Sequence, residues 1–152
     1  MKVLIIEDGT EYSDTFGRFL SEGFEWVRAG NGEAAILLLK SGSFDCVFCD
    51  MRFDRIEAAD LVGDVVAVSD QFNGDVVKTR QHLQDHQGNY ILAAIRDAGI
   101  RTPVLMSYDF DAEPRRWHRI EQRYAPVAYL ADQSGPTEVA QKIRRLVAHK
   151  PG

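Results

Sequence analysis

Five short apolar runs recur along the chain, each closed by a polar break and most followed by a stretch of helical periodicity. They are Lys2–Ile6 (KVLII), Phe24–Ala29, Phe44–Cys49, Thr102–Met106 (TPVLM) and Pro126–Leu130. Runs this short read as strands; Lys2–Ile6, apolar at nearly every position, implies burial on both faces, while Phe24–Ala29 is a more polar strand. Between them, Thr10–Glu22 carries Tyr12, Phe16, Phe19 and Leu20 at helical spacing and stops at Gly23. Glu33–Lys40, Tyr90–Ala98, Pro114–Tyr124 and Pro136–His149 are likewise helical, the last two opening on the proline that a first turn tolerates. Strands alternating with helices require right-handed crossovers and a parallel sheet covered on both sides. The expected fold is therefore α/β, a doubly wound five-stranded parallel sheet in one domain spanning 1–150. Residues 53–87 break the alternation. They carry an Ala/Val/Leu-rich stretch at Ile56–Val68, a turn at Phe72-Asn73-Gly74 and a helical segment at Asp75–His86 that runs toward Tyr90–Ala98. This segment reads as a helical insertion.

Composition sets the limits on function. The chain has 152 residues, 45% hydrophobic and 27% charged, with a net charge of −5, as expected of one globular domain without a global attraction to nucleic acid. No apolar run approaches the roughly 20 residues of a membrane span. The N-terminal Met1–Ile6 runs directly into Glu7 and Asp8, which does not suit a signal peptide. A cytoplasmic location is expected. Cys46 and Cys49 spell C-x-x-C, but residues three apart on a strand face opposite sides, so the two thiols read as core residues and not as a redox or zinc pair.

The chemistry concentrates at the carboxyl ends of the strands, where open α/β sheets place their sites. Glu7 and Asp8 end the first run and Asp50 the third. With those strands adjacent, as in a 2-1-3-4-5 order, three carboxylates converge. Like charges that close raise one another's pKa unless a cation neutralises them. A hard divalent cation such as Mg²⁺ suits such a site, and a carboxylate beside it can serve as an in-line nucleophile toward a phosphoryl group.

These segments resemble the receiver domains of response regulators in two-component signalling. Lys-Val-Leu-Ile-Ile-Glu7-Asp8 is similar to the receiver's first strand and acid pair. Phe44-Asp45-Cys46-Val47-Phe48-Cys49-Asp50 is similar to the strand that presents the phospho-accepting aspartate. Gly88 with Ile91–Arg96, Thr102–Met106 and Val127–Leu130 match the following helix and the fourth and fifth strands. The resemblance implies the flavodoxin-like 2-1-3-4-5 order. It implies Asp50 as phospho-acceptor, and Mg²⁺ held by Glu7, Asp8, Asp50 and the backbone carbonyl of Arg52. Its implied partners are a histidine kinase or phosphotransfer protein as donor and a downstream effector protein, with a homodimer as a further output. As the chain ends at Lys150-Pro151-Gly152, output is expected through binding another protein. The role is that of a switch and not of a metabolic enzyme; an Asp-based phosphohydrolase needs a second acid two residues on, where Arg52 stands.

Three departures from the family pattern are visible. The Lys-Pro after the fifth strand, whose Lys pairs with the acceptor and then the phosphoryl group, is replaced by Ala131-Asp132-Gln133, so Asp132 adds negative charge. The Ser or Thr expected five residues past Pro103 is Tyr108, while Ser107 falls one position early and is expected to face away; both are switch candidates. Asp50 and Gly88 stand 38 positions apart, an insertion placed to cap the pocket or to form a docking surface. An alternative reading follows: a pseudo-receiver, which keeps the fold as a phosphorylation-independent interaction module. Arg115, Arg116, Trp117 and Arg119, with His118 and Arg123, make one helix strongly basic, a partner surface unless Trp117 packs inward; Arg144, Arg145 and Lys150 add charge on the last helix. His82 and His86 share a helix face at zinc spacing without a third ligand.

Overall fold

The computed structural model describes residues 1–149. Five parallel strands, β1 (Lys2–Ile6), β2 (Glu25–Ala29), β3 (Cys46–Asp50), β4 (Val104–Ser107) and β5 (Val127–Leu130), form one sheet in the order β2-β1-β3-β4-β5. Seven helices surround it: α1 (Glu11–Phe19), α2 (Gly32–Ser41), α3 (Val65–Gln71), α4 (Val76–Asp85), α5 (Gln87–Asp97), α6 (Pro114–Tyr124) and α7 (Pro136–Ala148). Lys150, assigned above to the basic surface of the last helix, lies outside the described residues. Among those described, no helix is long and apolar enough to cross a membrane.

Period-2 alternation sorts the strand side chains into two cores. Val3, Ile5, Cys46, Phe48 and Leu105 meet Phe16 of α1 and Val139 and Ile143 of α7. Leu4, Ile6, Val47, Cys49, Val104 and Met106 meet Ile91, Leu92 and Ile95 of α5, with Ala35 and Leu39 of α2. Each fully buried aliphatic side chain contributes about 1.5–3 kcal/mol, and the double burial explains why these strands lack polar alternation. Cys46 and Cys49 fall in opposite cores as free thiols. Burial pushes the Cys46 thiol up to about 12, which leaves it unreactive.

The insertion is helical, with internal breaks. A 3-10 turn at Ala58–Asp60 precedes α3, and Asp64 and Asp75 cap α3 and α4 by accepting from Ala67 and Lys78 N–H. Asn73 and Gly74, both at positive φ, make the turn between those helices. Asp75–His86 does not continue smoothly into the next helix: the backbone kinks at His86 (φ −114°, ψ 17°), and α5 starts anew at Gln87. The reason is an anchor. The fully buried amide of Gln87 accepts from Val62 N–H (2.7 Å) and donates to the Val62 and Leu83 carbonyls. Val62 in turn abuts Gly32 of α2, and Ile56, Leu61 and Val62 pack on the α2/α5 core, while Asp54 and Arg55 reach Asp8 at the carboxyl end.

Candidate functional site

Register places the acids. Ile6 of β1 pairs with Cys49 of β3, and Asp50 pairs with Ser107 of β4. Glu7, one residue past β1, and Asp50 therefore lie at adjoining strand ends on the α1/α7 face. Asp50 is half-buried, and its Oδ1 accepts from Met51 N–H at 2.8 Å. Burial pushes its pKa up to about 7, against the Met51 hydrogen bond, and the negative charges of Asp8, Glu7 and Asp132 push the same way. The three acids anticipated in sequence are thus close enough to repel, and Asp132 is a fourth.

Glu7 occupies a different role from the one expected. It is 1% exposed, and both of its oxygens are engaged: Oε1 accepts from Tyr12 N–H (3.0 Å), Oε2 from Ser13 N–H (2.8 Å) and the Ser13 hydroxyl (2.6 Å). The carboxylate satisfies the orphan donors of the α1 N-terminus, which α1 lacks from its own cap residue. The α1 N-terminus therefore engages both oxygens of Glu7. Asp8 is held from the other side. Its Oδ2 accepts from the Asp54 and Arg55 N–H groups, each at 3.0 Å, and lies 3.7 Å from the Arg55 guanidinium, which also pairs with Glu11 at 2.7 Å. Arg28 donates to the carbonyls of Glu7 and Gly9. Two arginines from β2 and the insertion thus supply positive charge around the β1–α1 loop.

Ser107 and Tyr108 also depart from expectation. Because β3 runs through Asp50 and pairs it with Ser107, the serine lies on the same face as the acceptor candidate and does not face away. Its hydroxyl is 2.9 Å from the hydroxyl of Tyr12. Tyr108 lies beyond the strand and bonds Glu113 at 2.6 Å, inside a cluster where Arg116 contacts Glu113 (3.1 Å) and His86 Nδ1 (3.0 Å). His86 thus uses one ring nitrogen on Arg116. Among the described residues no group of three or more His, Cys, Asp or Glu side chains is arranged to hold a metal. Trp117 packs inward on Phe110 and Tyr129 (ring centroids 5.2 and 4.6 Å). Arg115, His118, Arg119 and Arg123 are the exposed members of the basic set on α6.

No family model matches the sequence, and no curated protein does. Solved structures do match. The receiver domain of Francisella response regulator 1452 covers 99% of this chain and 98% of its own at 16% identity, with a TM-score of 0.65. The fold is that of a response-regulator receiver domain. The chemotaxis response regulator CheY4 of Vibrio cholerae matches at TM-score 0.63 and 16% identity, over 95% of this chain and 97% of its own. The receiver domain of the hybrid histidine kinase CckA matches at 0.59 and 15%, over 97% and 99%. The 2-1-3-4-5 order expected from the sequence is the one observed, and Asp50 stands at the carboxyl end of its strand, where open α/β sheets place their sites.

Proposed function

We propose that this domain is a signal-transduction receiver in which Asp50 accepts a phosphoryl group with Mg²⁺ and thereby switches a protein-interaction surface. The observation that carries the reading is a half-buried Asp50 with one oxygen, Oδ2, free of hydrogen bonds among the described residues, at a strand end crowded by carboxylates. In the transfer, a carboxylate oxygen bonds to phosphorus as the P–N bond of a donor phosphohistidine breaks, and the imidazole keeps the electron pair. The donor is a histidine kinase or phosphotransfer protein, and the receiver of the output is an effector protein or a second copy.

The donor set fits a hard cation. Asp8 Oδ1, Asp50 Oδ2 and the Arg52 carbonyl accept no hydrogen bond from described residues, and two carboxylates with a carbonyl suit Mg²⁺ with several waters. Glu7 contributes charge and holds α1 in place. When bound, Mg²⁺ neutralises charge on the transferred group. Arg55 competes with it for Asp8. Arg55→Ala is expected to tighten Mg²⁺ binding by about threefold, the scale of an exposed ion pair, as read by calorimetric titration; unchanged affinity would exclude the competition.

Beryllofluoride with Mg²⁺ tests the whole reading. At a hundred times its dissociation constant, a ligand that binds only the native state adds about 2.7 kcal/mol, a melting shift of roughly 5–10 °C for a domain of this size. The expected result is that shift in the natural sequence and none in Asp50→Ala. The second reading, a pseudo-receiver working without phosphorylation, is favoured by Asp132 standing near the position of the missing Lys. It predicts no beryllofluoride-induced shift in either protein.

A further inference from the structure

Tyr12 is the residue whose placement the proposed chemistry leaves unexplained. It belongs to the apolar stripe of α1, yet its hydroxyl leaves that core for the carboxyl end of the sheet. Its backbone N–H is pinned by Glu7, and its ring sits edge-on against Phe48 (centroids 4.8 Å, 62°) and tilted on Phe16 (5.7 Å). Phe48 lies two residues before Asp50 on the same face of β3, so the ring is held directly beneath the acid. From there the phenol hydroxyl meets Ser107, which is 4% exposed and opposite Asp50 in the register.

Proton accounting shows what this pair offers. Two hydroxyls carry two O–H donors. Their mutual bond uses one. The only other acceptor recorded for either among the described residues is the Asp132 carbonyl, 3.5 Å from the Tyr12 oxygen, at the outer limit of a hydrogen bond. One donor is thus nearly unused next to Asp50. Ala131, Asp132 and Gln133 bring no cation to this side, and Arg28 and Arg55 are engaged around the β1–α1 loop.

We infer that the Tyr12 hydroxyl, held by Ser107, docks an anionic phosphoryl oxygen on Asp50, so that the two hydroxyls form a neutral donor pair in the place where the sequence lacks a lysine. This rests on the proposed role of Asp50 as acceptor. Hydrogen bonds to a charged oxygen are the strong ones, whether the donor is neutral or charged. A neutral pair supplies direction without long-range attraction, so it acts on the bound group and leaves metal affinity alone.

The test titrates beryllofluoride, at saturating Mg²⁺, into the natural protein and into Tyr12→Phe, Ser107→Ala and the double variant, with Mg²⁺ alone titrated in parallel. Tyr12→Phe keeps the ring and its packing. Each single variant is expected to weaken beryllofluoride binding by about 10- to 100-fold, with Mg²⁺ affinity unchanged to within about twofold. The double variant should lose far less than the product of the two, because the donors act as one unit. Ser107→Thr keeps the hydroxyl and should bind like the natural protein. If Tyr12→Phe and Ser107→Ala bind as tightly as the natural protein while Asp50→Ala does not bind, the hydroxyl pair has no such role and the phospho-acceptor reading stands. If the natural protein itself fails to bind, both fall together.

Discussion

Gly88→Ala is expected to lower the melting temperature by roughly 4–8 °C and to blunt the response to beryllofluoride. A Cβ at this position would lie 2.4 Å from the Asp50 carbonyl oxygen, 2.9 Å from Met51 Cα and 3.1 Å from the Met106 methyl. The first two are backbone atoms at the end of β3 and cannot rotate away. Gly88 N–H also donates to the Met51 carbonyl at 2.9 Å, which ties the start of α5 to the acceptor loop. Relief requires α5 to withdraw, and with it Ile91, Leu92 and Ile95 from the core. Overpacking of this kind costs about 3 kcal/mol, against which the helix propensity of alanine returns about 1 kcal/mol. A net loss of about 2 kcal/mol follows, or roughly 4–8 °C at this chain length. Gly17 supplies the contrast. It is exposed in the interior of α1 with nothing within 4 Å of a would-be Cβ, so Gly17→Ala should stabilise by about 0.5–1 kcal/mol. Equal effects at the two positions, by thermal melts, would mean that the close approach of α5 to Asp50 is not real.

Asp50→Asn should stabilise the domain at pH 8 and do little at pH 4. The folded pKa of Asp50, about 7, stands above its ordinary 3.8. The native state therefore binds more protons than the unfolded chain between those values, and stability contributed by this group falls as pH rises from about 4 through 7. Above pH 7 the full penalty is present. Its ceiling is about 4 kcal/mol by the pKa difference, and partial exposure of the side chain reduces it to about 2 kcal/mol, again several degrees of melting temperature. Asparagine keeps an oxygen for Met51 N–H and carries no charge. Saturating Mg²⁺ should narrow the gap by relieving the same repulsion. A variant no more stable than the natural sequence at pH 8 without metal would show that neither burial nor the neighbouring carboxylates penalise a charged Asp50.

Both predictions concern the strand ends, and those were the most legible part of the chain. Apolar runs buried on both faces carry a strong signal, and Pro114 and Pro136 open α6 and α7 where a first-turn proline is expected. Asp50 could be placed because its strand has no polar interruption before it. The insertion was legible as helical but not in its breaks. The kink at His86 depends on Gln87, an amide that reads as a surface residue until its long-range bonds to Val62 are seen. Glu7 as a cap for α1 was hidden for a related reason: it reaches the helix from the preceding strand, outside the usual cap position. Counting from Pro103 turns Ser107 away from the pocket, whereas β-pairing with Asp50 decides its face. Tyr12 carried the signal of an ordinary core residue, since helical spacing records where a ring packs and says nothing of where its hydroxyl ends. The pairing of Asp8 with Arg55, across a loop, left no pattern in the sequence at all.

A carboxylate oxygen of Asp50 is the proposed acceptor of the phosphoryl group. The most direct test of that role is incubation with a small phosphodonor such as acetyl phosphate, with and without Mg²⁺, followed by detection of an acyl phosphate that hydroxylamine removes. The account predicts one Mg²⁺-dependent label in the natural sequence and none in Asp50→Asn. A label that persists in Asp50→Asn, or no label in the natural protein under saturating donor and metal, would contradict it.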